Sequence, residues 1–122
     1  MVGEPKKVLI FEDNPEIQLI LKIFFKKRGC EPLIHGDATE ALELVRKIAP
    51  ALVMMDIIMP GKDGVEACKE LRAGGVQTPI VILTSKAFAE DRERGMLAGA
   101  NAYLLKPFNP KELDAAVAPF IA

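Results

Sequence analysis

The chain has 122 residues, 50% of them hydrophobic and 27% charged, with a formal net charge of −1. That length suits a single domain spanning residues 1–122, and the near-neutral balance lacks the basic footprint of a nucleic-acid binder or of a protein held on an anionic membrane. Cys30 and Cys68 lack paired-ligand spacing and read as free thiols of a reducing compartment. With no signal-peptide pattern, and residues 17–25 too short and interrupted to span a bilayer, the expectation is a cytoplasmic protein with neither nucleic acid nor membrane as partner.

Short apolar runs alternate with amphipathic stretches. Lys7–Phe11 reads as a strand, followed at once by acids. Asn14 is placed to cap a helix with Pro15 at its first position. Ile17, Ile20, Leu21 and Phe24 mark that helix's core face, and Arg28-Gly29 stops it. Residues 32–35 form a second strand, weakened by Pro32, which cannot donate to a ladder. Asp37 is expected to cap a helix carrying Ala41, Leu44, Val45 and Ile48, ended by Ala49-Pro50. Residues 52–55 are apolar throughout, as in a strand covered on both faces.

Asp63 or Gly64 opens the third helix, which places Cys68 in phase with Val65 and Leu71 on its core side, and Gly74-Gly75 closes it. Residues 79–83 make the fourth strand. Residues 90–98 make a helix with a thin apolar face, mainly Met96 and Leu97, and with Gly95 inside it, so it is expected to be the least stable helix. Residues 102–105 are the fifth strand. Asn109 caps and Pro110 begins the last helix, which Pro119 is expected to end early. Such alternation implies an α/β protein with a parallel sheet and right-handed crossovers.

Chemistry concentrates at the strand ends. Glu12 and Asp13 follow the first run, Asp56 the third, Thr84 the fourth, and Lys106 the fifth, just before Pro107. In a parallel sheet these positions converge on one edge. Any one acid alone would read as a helix cap or a solvent-facing side chain; their joint placement points to a metal–phosphate site. Three carboxylates in close range repel unless a cation joins them. Mg²⁺ suits hard oxygen ligands and keeps positions for water and phosphate, with Mn²⁺ as a substitute. No histidine or cysteine is placed for zinc. A carboxylate can also attack phosphorus, giving an aspartyl phosphate. Lys106 and Thr84 then suit the phosphoryl oxygens, since such transfer depends on positioning and charge neutralisation.

Four motifs in order resemble the receiver domain of bacterial two-component response regulators, including the chemotaxis regulators, across essentially the whole chain. They are the acidic pair at Glu12-Asp13-Asn14, the segment from Met55-Asp56 through Met59-Pro60-Gly61, the run ending Leu83-Thr84-Ser85, and Tyr103-Leu104-Leu105-Lys106-Pro107-Phe108. The resemblance implies a flavodoxin-like, doubly wound, five-stranded parallel sheet of order 2-1-3-4-5. It implies that Asp56 accepts phosphate from a sensor histidine kinase or a histidine phosphotransfer protein. Glu12, Asp13, Asp56 and the Ile58 backbone carbonyl would hold Mg²⁺, and Thr84 and Lys106 would bind the phosphoryl group. Thr84 and Tyr103 would form a switch pair, and the Lys106–Pro107 bond would be cis. The downstream effector is left unidentified, as is whether the chain is a free-standing regulator or a receiver from a longer protein.

Three positions depart from common versions of the motifs. Ile58 and Lys86 carry no group to orient an attacking water, and Ser85 is slightly larger than the usual alanine. Two alternatives carry less support. A small aspartate-nucleophile phosphatase would want a second carboxylic acid near Asp56, where Ile57 and Ile58 stand. A flavin module of the same fold class would need a glycine- and hydroxyl-rich loop where Glu12-Asp13 stand. Elsewhere, His35 reads as surface or structural, Met54, Met55 and Met59 as packing. Leu19 and Ile23, beside the core face of the first helix, are either ordinary surface residues or a docking pair for a partner helix.

Overall fold

Five strands and five helices alternate in the computed structural model, which describes residues 4–85 and 89–121, the side chains of 89–91 aside. They are β1 (Lys7–Phe11), α1 (Pro15–Lys27), β2 (Glu31–His35), α2 (Ala41–Ile48), β3 (Leu52–Asp56), α3 (Gly64–Ala73), β4 (Ile80–Ser85), α4 (Ala89–Leu97), β5 (Ala102–Lys106) and α5 (Pro110–Ile121). The sheet runs β2-β1-β3-β4-β5 with all neighbours parallel. The chain steps from β1 outward to β2, then back across β1 to β3. The crevice at the carboxyl ends of β1 and β3 is therefore the switch point where such folds bind ligands. Among the described residues no helix is long and apolar enough to cross a membrane.

Two cores sandwich the sheet. Leu9, Phe11, Val53, Met55, Ile80 and Ile82 face α2, α3 and α4, while Val8, Ile10, Met54, Val81, Leu83 and Leu104 face α1 and α5. This alternation is the strand period of two, with each strand apolar on both faces because helices cover both. Cys68 packs in the first core, and both cysteines are buried and free. Two helix starts are capped as expected. Asn14 Oδ1 accepts from the N–H groups of Glu16 (2.8 Å) and Ile17 (3.2 Å). Asn109 and Glu112 exchange reciprocal side-chain-to-backbone bonds of 2.8 and 3.1 Å, a capping box.

The second strand stands as read, starting one residue earlier at Glu31, and Pro32 is tolerated within it, paired with Val8, because β2 is an edge strand with no outer ladder to lose. Several expectations are corrected. Asp37 does not cap α2; its carboxylate accepts from the Thr39 N–H in the preceding loop, and the N-cap position falls to Glu40, which makes no side-chain cap. Pro119 does not end α5, which runs to Ile121 and packs Phe120 and Ile121 against the second core. Ile20 is 50% exposed, and the buried residues of α1 are Leu21, Phe24 and Phe25. Among the described side chains of α4 the buried position is Gly95, while Met96 is 39% and Leu97 89% exposed. A β-carbon on Gly95 would fall 2.2 Å from Ile82 Cδ1, so α4 reaches the sheet by lacking a side chain there.

Candidate functional site

Three strand ends deliver the site. Asp56 is the last residue of β3, Thr84 the next-to-last of β4, and Lys106 the last of β5. The sequence placed them just beyond their strands. Lying within the strands, they are fixed by ladder hydrogen bonds as well as by packing. Glu12 and Asp13 do follow β1. The Lys106–Pro107 peptide is cis, as the resemblance implied.

Lys106 Nζ lies 2.7 Å from Glu12 Oε1 and 2.7 Å from Asp56 Oδ2. It therefore holds the two buried carboxylates together across the β1–β3 crevice. Its contact with Asp56 is a hydrogen bond, and its contact with Glu12 Oε1 is an ion pair. The other Glu12 oxygen accepts from the Asn14 N–H at 3.1 Å. Asp56 Oδ1 accepts from the Ile58 N–H at 3.1 Å. Glu12, Asp13 and Asp56 each offer an oxygen within 4.8 Å of the others, with Asp13 exposed and the other two buried. The Thr84 hydroxyl is buried and has no hydrogen-bond partner among the described residues.

Burial pushes the Glu12 carboxyl up to about 7; neighbouring Asp56 pushes the same way, while Lys106 and the Asn14 N–H oppose. Burial alone would lower the Lys106 pKa, but its contacts with Asp56 and Glu12 outweigh this and raise it. Lys106 thus stays a cation, and burial leaves the Glu12 carboxylate in want of further positive charge. A buried carboxylate that needs more positive charge, two acids within reach of it, and an all-oxygen donor set fit a hard divalent cation.

The loop after β3 presses on Asp56. A β-carbon on Gly64 would lie 2.2 Å from the Asp56 carbonyl oxygen, so only glycine fits. The Gly64 N–H donates to Ile57 O at 2.9 Å, and Asp63 caps α3 by accepting from the Val65 N–H at 2.6 Å. Sequence reading took Gly64 as a helix opener and missed its role in seating Asp56; no local pattern announces a contact across the loop. Ile58 is exposed, and it is its N–H that the structure ties to Asp56. Lys86 lies outside the described residues.

Tyr103 stands apart from this cluster on β5, 39% exposed. Arg92 of α4 stacks on it, with the guanidinium carbon 4.9 Å from the ring centroid and Nη1 donating to Tyr103 Oη at 3.3 Å. Nothing in the sequence singled out Arg92, one of several charged residues on a polar helix. Leu19 and Ile23 are both exposed but part ways: Ile23 borders a groove with Ile20, Phe24, Pro110 and Leu113, and Leu19 one with Gln18, Lys22 and Ile34.

Residues 8–118 match the response regulator receiver domain model. The DNA-binding response regulator MtrA of Mycolicibacterium smegmatis is 40% identical over 113 residues, covering 92% of this chain and 49% of that protein. The chain thus spans about half the length of the curated relatives it matches. The BeF3-activated N-terminal receiver domain of Klebsiella pneumoniae RstA is 32% identical with a TM-score of 0.87, covering 95% of this chain and 98% of that one. The receiver domain of the sensor histidine kinase PA1611 of Pseudomonas aeruginosa, with magnesium coordinated in its active-site cleft, is 32% identical with a TM-score of 0.85, covering 96% and 98%.

Proposed function

The chain belongs to the response-regulator receiver family, a phosphorylation-controlled switch of two-component signalling, and on that premise we propose that Asp56 is its phosphoacceptor. Receivers are phosphorylated by histidine kinases; here the donor is a phosphohistidine of a sensor kinase or of a phosphotransfer protein. An Asp56 carboxylate oxygen attacks phosphorus as the P–N bond breaks, and the departing imidazole takes its proton from solvent. No general base is needed, because a carboxylate attacks without losing a proton. Mg²⁺ bound by Glu12, Asp13, Asp56 and the Ile58 carbonyl, or Mn²⁺ in its place, would supply the charge that lets an anionic donor approach three acids. Lys106 turns its ammonium from the carboxylates to a phosphoryl oxygen. The unpartnered Thr84 hydroxyl donates to another. Tyr103 follows, rotating inward behind Thr84.

The observation that carries this reading is the convergence of Glu12, Asp56 and Lys106 within 2.7 Å contacts beside a buried, unpartnered hydroxyl. Neither a phosphatase nor a flavin site gains a comparable observation. With a net charge of −1, the receiver itself is read as acting through a protein surface in the cytoplasm, upstream of any nucleic-acid contact. The relative named as DNA-binding is longer than this chain, which leaves such contact to other segments. Intact-mass measurement with acetyl phosphate and Mg²⁺, with and without chelator, tests the proposal. One phosphoryl group on Asp56, lost in chelator, is the expected result; labelling elsewhere overturns it.

A further inference from the structure

Ile82 pairs with Tyr103 and Thr84 with Leu105 in the parallel register of β4 and β5. Residues two apart share a sheet face, and directly paired residues share it too. Ile82 belongs to the core beneath α2, α3 and α4. Tyr103 and Thr84 therefore lie on the face that α4 covers, one step apart along the ladder. α4 also presents Arg92, which meets the Tyr103 ring and its hydroxyl together. The same helix places Gly95 against Ile82 with no side chain between them.

We propose that Arg92 is a positioning residue that latches Tyr103 in its outward orientation while Asp56 is unmodified. The inference rests on Tyr103 being the switch aromatic, as proposed above. Arg92 grips the ring in two ways. Its cation lies over the negative face of the aromatic, and its Nη1 uses the phenol oxygen as an acceptor. Inward rotation gives up both contacts, so the latch weights the resting equilibrium toward the outward state. An exposed pair of this kind shifts a two-state balance by about two- to fivefold. That is enough to set the resting population and too little to block the switch once Asp56 is phosphorylated. Release also alters the surface in two places at once: an aromatic ring leaves it, and a guanidinium held against that ring becomes free to pair.

The composition provides the probe. The chain contains one tyrosine and no tryptophan, so a chain grown with 3-fluorotyrosine gives a single ¹⁹F resonance, from Tyr103. Spectra are compared before and after phosphorylation by acetyl phosphate and Mg²⁺, with intact mass confirming the label. In the parent the resonance moves on phosphorylation. In Arg92→Gln the separation between the two states shrinks, because the unmodified protein already samples the inward state. The rate of labelling by acetyl phosphate rises about two- to fivefold in the same variant. Arg92→Lys keeps a cation near the ring without the guanidinium's forked donors and falls between parent and Arg92→Gln. An unchanged separation in Arg92→Gln, or an unchanged labelling rate, overturns the latch. A parent resonance that does not respond to confirmed phosphorylation instead overturns Tyr103 as the switch residue.

Discussion

The centre of the sheet and its β5 edge are built differently. Every residue of β3 is buried, β1 is buried beyond its first residue, and Lys106 holds Glu12 and Asp56 between them. On β5 only Leu104 is fully enclosed, and α4 above it packs through a glycine while exposing Leu97. Phosphoryl chemistry needs atoms held to within a fraction of an ångström, which the doubly covered strands supply. A readout needs an element that can shift at small cost, which a thinly packed helix supplies. The two regions meet where β4 carries Thr84, paired with Leu105 of β5.

The largest expected effect lies at the centre. Asp56→Asn keeps the shape and removes the nucleophile, and labelling by acetyl phosphate should vanish while the fold persists; a variant that still gains one phosphoryl group would place the chemistry elsewhere. Next is the α1 surface. Changing Leu19 and Ile23 together to serine should slow transfer from a protein donor by about thirtyfold, since partly exposed apolar side chains of this size each contribute about 1 kcal/mol when covered. Acetyl phosphate labelling should be unaffected, and equal slowing with both donors would mean a damaged fold.

The glycine pair tests the contrast itself. Gly64→Ala drives a methyl into the Asp56 carbonyl and should lower unfolding stability by about 2–3 kcal/mol. Gly95→Ala meets only the end of the Ile82 side chain, and the gain in helix propensity, about 1 kcal/mol, should largely offset the crowding. Denaturant titration of both separates them; equal losses would mean that α4 is seated as tightly as the centre. The smallest effect concerns persistence of the acyl phosphate. Ile58→Asn supplies an amide to orient water beside Asp56 and should shorten the half-life by a factor of a few. An unchanged half-life would show that water positioning there does not limit hydrolysis.

The order of elements and the identities of Glu12, Asp13, Asp56, Thr84 and Lys106 could be read in the sequence because each sits at the end of an apolar run. Runs, caps and breakers are local signals, and Asn14, Asp63 and Asn109 behave as their neighbours in the chain dictate. What escaped was set by contacts across the fold. Ile20 matches the period of the α1 core face, yet it is half-exposed and Phe25 is buried instead. Met96 and Leu97 read as the buried face of α4, but among the described residues it is Gly95, pressed against Ile82 of β4, and Ala98 just past the helix that are buried. Arg92 and Gly64 act on partners that no spacing rule connects to them.

Arg72, near the end of α3, carries a consequence for how α4 can move. Its guanidinium donates to Gly99 O at 3.0 Å, Val76 O at 2.8 Å, Thr78 O at 2.9 Å and Asn101 Oδ1 at 2.8 Å, and that same Asn101 oxygen accepts from the Ile80 N–H at 2.9 Å. The turn leaving α4 is thereby riveted to α3 and to the entry of β4 by charge-assisted bonds. Any displacement of α4 that spares these bonds must pivot on its carboxyl end, as a lever does on a fulcrum. The stroke is then smallest at Gly99, larger at Arg92 above Tyr103, and greatest at Ala89.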